Sequence, residues 1–122
     1  MIEAGVVVDL EGVPLHWHLP AGRTGTSIPD SRELWDVLWT NRERIAGFAH
    51  THPGHGVPGP SNEDVTTFSA VELALGRRLA WWIASADRVA VVRWIGPGNY
   101  DYGTEPLETD PSWVDELRRR SK

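Results

Sequence analysis

The segment Gly47-Phe48-Ala49-His50-Thr51-His52-Pro53, followed after a Gly/Pro run by Pro60-Ser61-Asn62-Glu63-Asp64, anchors the reading of the rest of the chain. On an extended strand, residues i and i+2 face the same side, so His50 and His52 present their imidazoles together. Pro53 ends that strand, because proline has no N–H for a sheet ladder. The run Gly54-His55-Gly56-Val57-Pro58-Gly59-Pro60 is built of residues that permit a tight reversal. Ser61 then reads as a helix N-cap, which puts Asp64 about one turn into the helix and facing back toward the strand end. Two imidazoles and a carboxylate supply three ligands of a tetrahedral zinc site. The fourth position, open to water, is what distinguishes a catalytic from a structural zinc. Either half alone is a weak signal, since S-x-x-D before an apolar run is by default a capping box. Their joint occurrence in this order points to a bound metal. Nitrogen and oxygen ligands without thiolate suit zinc, although other first-row metals fit the same set.

Working outward, the pattern predicts a strand over residues 45–52, with Ala46, Phe48, His50 and His52 on one face, and a helix from Ser61. That helix buries Val65, Phe68, Val71 and Leu75 and stops at Gly76. Upstream, residues 3–9 and 13–19 are β-branched runs separated by Glu11-Gly12, read as a hairpin. The second run contains another H-x-H, His16-Trp17-His18. It has no proline break and no S-x-x-D partner, and reads as a half-exposed strand face around Trp17. Asp30-Ser31-Arg32-Glu33 resembles a capping box with Asp30 at N-cap, opening a helix to about Glu43. Leu34, Val37, Leu38 and Asn41 lie on one side of it, and Trp35 and Trp39 form a neighbouring i, i+4 pair at the edge of the core. Downstream, residues 79–85 and 88–95 read as strands, residues 99–109 as irregular, and Asp110-Pro111 as the N-cap and first residue of a helix through Arg119. The order β-β-α-β-α-β-β-α gives one domain over residues 1–122 of α/β (α+β) class, with a mixed sheet flanked by helices.

Composition narrows the function. The 122 residues contain no Cys, which excludes disulfides, thiol nucleophiles and thiolate metal sites. A net charge of −5 argues against binding nucleic acid through phosphates. The basic cluster Arg118, Arg119, Arg120 and Lys122 reads as a solvated helix end. No apolar run reaches membrane-spanning length and no signal-like segment opens the sequence, so a cytoplasmic location is expected. No Walker loop, G-x-S-x-G elbow or H-E-x-x-H helix is present.

The sequence G-F-A-H-T-H-P, the short loop and P-S-x-x-D resemble the signature of the JAMM/MPN+ zinc metalloproteases, the JAB domain. Glu3-Ala4-Gly5-Val6-Val7-Val8 is similar to the first strand of short prokaryotic members. The resemblance implies a fold like cytidine deaminase in general layout. It implies Zn2+ held by His50, His52 and Asp64, Glu3 as general acid and base, and Ser61 assisting the oxyanion. It further implies a peptidase or isopeptidase that uses a zinc-activated water. The substrate would be the extended C-terminal tail of a ubiquitin-like or sulfur-carrier-type protein. From the residues alone, Glu11, Glu33 and Glu63 remain alternatives to Glu3 as the base. Glu63 points about 100° away from Asp64 around the helix. Ser61 has a purely structural role as N-cap open to it, and His55 reads as a solvent-facing loop residue. The resemblance admits a non-catalytic MPN-type interaction scaffold as the alternative, and a relative of the RadC group, which carries a similar H-x-H-P…P-S-x-x-D run, as a third reading.

Overall fold

A computed structural model describes all of residues 1–122. Six strands form a single mixed sheet: β1 (Gly5–Asp9), β2 (Pro14–His18), β3 (Ile45–Thr51), β4 (Ala80–Ala84), β5 (Val89–Trp94) and β6 (Tyr102–Pro106). Three helices accompany them: α1 (Arg32–Thr40), α2 (Asn62–Leu75) and α3 (Val114–Arg120). The strand order is β2-β1-β3-β4-β5-β6, and only the β3–β4 pair is parallel. That pair is the one joined through a helix, α2, as a parallel connection requires. No helix is long and apolar enough to cross a membrane.

Alternation along the central strands divides the core in two. One face buries Val7, Phe48, Trp81, Ile83 and Val92 together with Leu34 and Leu38 of α1 and Phe68 and Leu75 of α2. The other buries Val6, Val8, Ala49, Ala84 and Val89 against Trp113, Val114 and Leu117 of α3 and its approach. Helices α1 and α2 therefore cover the His50 side of the sheet, and α3 covers the reverse.

Two glycines set the spacing of the middle strands. A Cβ at Gly47 would lie 1.6 Å from the carbonyl oxygen of Ala80, so the close β3–β4 approach requires glycine there. A Cβ at Gly5 would meet the Phe48 ring at 2.3 Å. The helix starts follow local chemistry. Ser61 Oγ accepts the Asp64 N–H at 3.0 Å while Asp64 Oδ2 accepts the Ser61 N–H at 3.0 Å, a reciprocal capping box. Gly76, at φ 74°, closes the far end of α2 in the left-handed conformation.

Several expectations are corrected. The N-cap of α1 is Ser31, whose Oγ accepts from the Leu34 N–H at 3.0 Å, and not Asp30; the helix ends at Thr40 rather than near Glu43. A serine one position later reaches the free N–H groups better than the aspartate before it. Residues 99–109 are not wholly irregular: Tyr102–Pro106 pairs antiparallel with β5. Its sequence, YGTEP, has no apolar alternation because it is an exposed edge strand with little to bury. Asp110 does not cap α3, whose N-cap position is Trp113; its carboxylate instead pairs with Arg118 at 2.7 Å. His18 is not half exposed but buried, with Nε2 donating to the Pro29 carbonyl at 2.7 Å. Burial pushes its pKa below the ordinary histidine value, outweighing that hydrogen bond.

One buried polar network had no sequence signal. Glu72 on α2 is 2 % exposed. It accepts from Arg78 at 3.0 Å, from the Leu79 N–H at 2.8 Å, from Trp81 Nε1 at 2.8 Å and from the Tyr102 hydroxyl. A single carboxylate thus ties α2 to β4 and β6.

Candidate metal centre

Strand pairing brings the sequence-distant residues together. Gly5 lies opposite His50 in the β1–β3 ladder. The same antiparallel register carried two residues outward sets Glu3 against His52, with all four on the face that α2 covers. Thr51 secures this end of the ladder. Its N–H donates to the Ala4 carbonyl at 3.1 Å and its Oγ1 accepts the Ala4 N–H at 3.0 Å. The Thr51 hydroxyl also bonds Ser121 Oγ at 2.8 Å, beyond the end of α3.

At the C-terminal end of β3 the imidazoles converge: His50 Nε2 and His52 Nε2 are 2.9 Å apart. Asp64, one turn into α2, places Oδ1 3.6 Å from His50 Nε2 and Oδ2 3.2 Å from His52 Nε2. Glu3 has a carboxylate oxygen within 4.8 Å of both imidazoles. His50 and Glu3 are buried at 4 % and 5 % exposure, while His52 and Asp64 are half-buried. Ligands about 2.0–2.1 Å from a tetrahedral ion lie about 3.3 Å from one another. The two imidazole nitrogens, 2.9 Å apart, stand somewhat inside that value, and Asp64 meets them through different oxygens, Oδ2 at 3.2 Å from His52 and Oδ1 at 3.6 Å from His50. Glu3, His50 and His52 form a cluster that could hold a metal ion, and Asp64 lies beside it, within reach of both imidazoles.

The four groups shift one another's protonation. Burial alone would raise Asp64, but hydrogen bonds from His50 and His52 and the Ser61 N–H hold its carboxyl far below the usual carboxylate range. Its hydrogen bond to Asp64 raises His52, against the opposing effect of burial. Burial also raises Glu3, and Asp64 adds to this, while the two imidazoles pull it back.

The remaining candidates separate by position. Glu11 lies exposed in the β1–β2 turn. Glu33 is exposed and lies 3.9 Å from His16 Nδ1. Glu63 is exposed but borders a polar cavity of about 310 Å³ beside the site, together with Glu3, His52, Ser61 and Asp64. Ser61 acts as N-cap through one lone pair of Oγ; its hydroxyl hydrogen is a separate resource. His55 is exposed, as expected.

Three supports were invisible in the sequence. Arg23 Nη1 donates to the Glu3 carbonyl at 3.0 Å and to the Arg120 carbonyl at 2.9 Å, while the Glu3 N–H donates to Thr24 at 2.7 Å. These bonds hold Glu3 in place although it precedes β1. The reversal after Pro53 is pinned to the β4–β5 turn, where Asp87 accepts the Gly56 N–H at 2.8 Å and Ser85 Oγ donates to the Gly56 carbonyl at 2.6 Å. The third is Thr51. Each joins segments twenty or more residues apart, so no spacing rule signals it. Against known proteins, the chain matches no family model and no curated sequence.

Proposed function

We propose that the chain is a JAB-type zinc metallopeptidase or isopeptidase, with His50, His52 and Asp64 holding the metal, Glu3 as general acid and base, and Ser61 assisting the oxyanion. The observation that carries this reading is the meeting of two imidazoles 2.9 Å apart with two carboxylates, Asp64 at 3.2 and 3.6 Å from them and Glu3 within 4.8 Å. The mixed sheet with helices on both faces suits the JAB fold. A divalent metal bound here supplies Lewis acidity, which acidifies water and polarises a carbonyl. Asp64 contributes fixed negative charge, and the Ser61–Asp64 capping box prevents its carboxylate from turning away.

The chain's own part in the reaction is proton handling. Glu3 accepts a proton from water as a C–O bond forms at the amide carbonyl. It returns that proton to the nitrogen as the C–N bond breaks, leaving a carboxylic acid and an amine. Burial raises the Glu3 proton affinity, which favours holding the proton for the return step. The Ser61 hydroxyl donates to the carbonyl oxygen as charge develops on it, a contribution of about 2.7–4 kcal/mol for comparable donors. The proposed substrate is the extended tail of a ubiquitin-like or small carrier protein.

The test is a comparison of zinc content and amide hydrolysis across variants, using tail peptides fused to a fluorescent amine. Glu3→Gln retains one zinc per chain and loses at least a hundredfold in hydrolysis. Full hydrolysis by Glu3→Gln moves the base to another carboxylate.

A further inference from the structure

The metal centre occupies one face of the sheet, and α3 covers the other. Side chains alternate along extended backbone, so Ala4 and Thr51 point away from Glu3, His50 and His52 and toward α3. There Ala4 packs in one cluster with Leu117. The last turn of α3 has carbonyls without helical partners, and the segment around Glu3 supplies their donors. The Ile2 N–H donates to the Ser121 carbonyl at 2.6 Å. Arg23 Nη1 bridges the Arg120 and Glu3 carbonyls at 2.9 and 3.0 Å. Ser121 Oγ donates to the Leu117 carbonyl at 3.0 Å. A hydroxyl has one hydrogen, so in the 2.8 Å bond between Thr51 Oγ1 and Ser121 Oγ it is Thr51 that donates. Thr51 Oγ1 in turn accepts the Ala4 N–H at 3.0 Å. A relay therefore runs in one direction, from the Ala4 N–H through Thr51 and Ser121 to Leu117. Thr51 and Ser121 are both 0 % exposed, and each bond in such a run polarises the next.

We propose that Ser121, on the reverse of the sheet, is a positioning residue for Glu3. This inference rests on the metallopeptidase reading above and adds to it a dependence of the base on α3. The metal ligands do not share that dependence. His50 lies inside β3, opposite Gly5 of β1 and Ile83 of β4. The His52 N–H donates to the Ala84 carbonyl at 2.9 Å, and the capping box locks Asp64. Glu3 precedes β1 and has no place in its paired register. Its own backbone is held by Thr24 and Arg23. The residues on either side of it are held by Ser121, Ile2 through the Ser121 carbonyl and Ala4 through Thr51 and the Ser121 hydroxyl. Ser121 thus fixes both peptide neighbours of the base without touching the reacting atoms. A reacting group displaced by about 1 Å costs on the order of 100-fold in rate, whereas the grip of His50, His52 and Asp64 is unaltered.

The experiment compares Thr51→Val, which keeps the shape and breaks the relay, with Thr51→Ser, which keeps the hydroxyl and removes a buried methyl. Ser121→Ala breaks the relay from the α3 side and serves alone if Thr51→Val does not fold. Three quantities are measured well below Tm: zinc affinity, hydrolysis of the fluorogenic tail peptides resolved into kcat and KM, and amide hydrogen exchange of the zinc-free protein. Thr51→Val and Ser121→Ala each lose about 10- to 100-fold in kcat, with KM and zinc affinity within about threefold of wild type. Combined, they lose about as much as the worse of the two, because both break one relay. Thr51→Ser restores kcat to within about threefold of wild type. In the zinc-free proteins the Ala4 amide exchanges about tenfold faster or more in Thr51→Val and Ser121→Ala, while Val7 in the middle of β1 is unchanged. Zinc affinity that falls in step with kcat, or a kcat as low in Thr51→Ser as in Thr51→Val, reduces the contact to general stability and overturns the proposal. Ala4 exchange equal to wild type in the relay variants overturns it as well, with the metal reading intact. A wild-type protein that holds no zinc or cleaves no tail peptide removes the metallopeptidase reading, and the role of Ser121 with it, even where the exchange effect is present.

Discussion

Removing one imidazole from the cluster gives a direct thermodynamic test. For 122 residues, the unfolding entropy near the melting point is about 0.26 kcal/mol per kelvin. Zinc at a hundredfold excess over its Kd, bound to the native state alone, adds about 2.7 kcal/mol and raises Tm by about 10 °C. His52 Nε2 lies 2.9 Å from His50 Nε2 and 3.2 Å from Asp64 Oδ2, so His52→Ala deletes one corner of a three-cornered site. Loss of even an outer-shell partner of a metal ligand costs 10- to 100-fold in affinity, on the order of the least to expect here. At the same zinc concentration, a hundredfold weaker site adds only about 0.4 kcal/mol, or about 1.5 °C. The metal-free proteins differ little, because a part-exposed ion pair such as His52–Asp64 contributes less than about 1 kcal/mol. Differential scanning calorimetry with and without zinc reads both effects. Asp64→Asn behaves like His52→Ala, and Glu3→Gln keeps the 10 °C rise. A full zinc-dependent rise in His52→Ala refutes the site. A rise lost in Glu3→Gln but kept in Asp64→Asn exchanges the roles of the two carboxylates.

Three further outcomes follow from the surrounding structure. Glu72→Ala leaves the Leu79 N–H, the Trp81 indole N–H and the Tyr102 hydroxyl without their acceptor. It therefore costs about 3–5 kcal/mol, or about 11–19 °C in Tm, and a drop under about 4 °C shows the network to be dispensable. Gly47→Ala drives a methyl against the Ala80 carbonyl, so at least the roughly 1–3 kcal/mol of ordinary overpacking is lost on chemical denaturation; wild-type stability there means that β3 and β4 can separate freely. His18 has a depressed pKa in the folded chain, so the native state binds fewer protons at this ring than the unfolded state. Its contribution is present above about pH 6.5 and lost as pH falls below that value. His18→Gln, which retains a donor for the Pro29 carbonyl, therefore loses less stability than the wild type between about pH 7 and pH 5 in urea melts, and parallel losses would place the titration elsewhere.

Local chemistry made much of this chain readable. The hairpin β1–β2, the central strand, the Ser61 capping box and the Gly76 stop are each set by residues within a few positions of one another, and all appear where the spacing places them. His50, His52 and Asp64 were recognisable because strand alternation and a helix N-terminus are short-range geometry. Errors arose where local signals competed or were silent. Asp30 and Ser31 both offer a cap, and only the path of the chain into α1 chose Ser31. The strand Tyr102–Pro106 exists because β5 offers it an edge, not because of its own residues.

The sequence by itself determined that a pair of same-face histidines and a helix-borne aspartate occur in an order able to meet, in a cysteine-free chain restricted to nitrogen and oxygen ligands. Only the tertiary structure decided that Glu3 joins them, because its position depends on the β1–β3 register and on the Arg23 and Thr51 clamps. The same holds for the link from Thr51 to Ser121 and for the burial of Glu72 and His18. A side chain's hydrogen-bonding type and conformational bias are written along the chain, whereas dielectric environment and distance depend on which segments pack together.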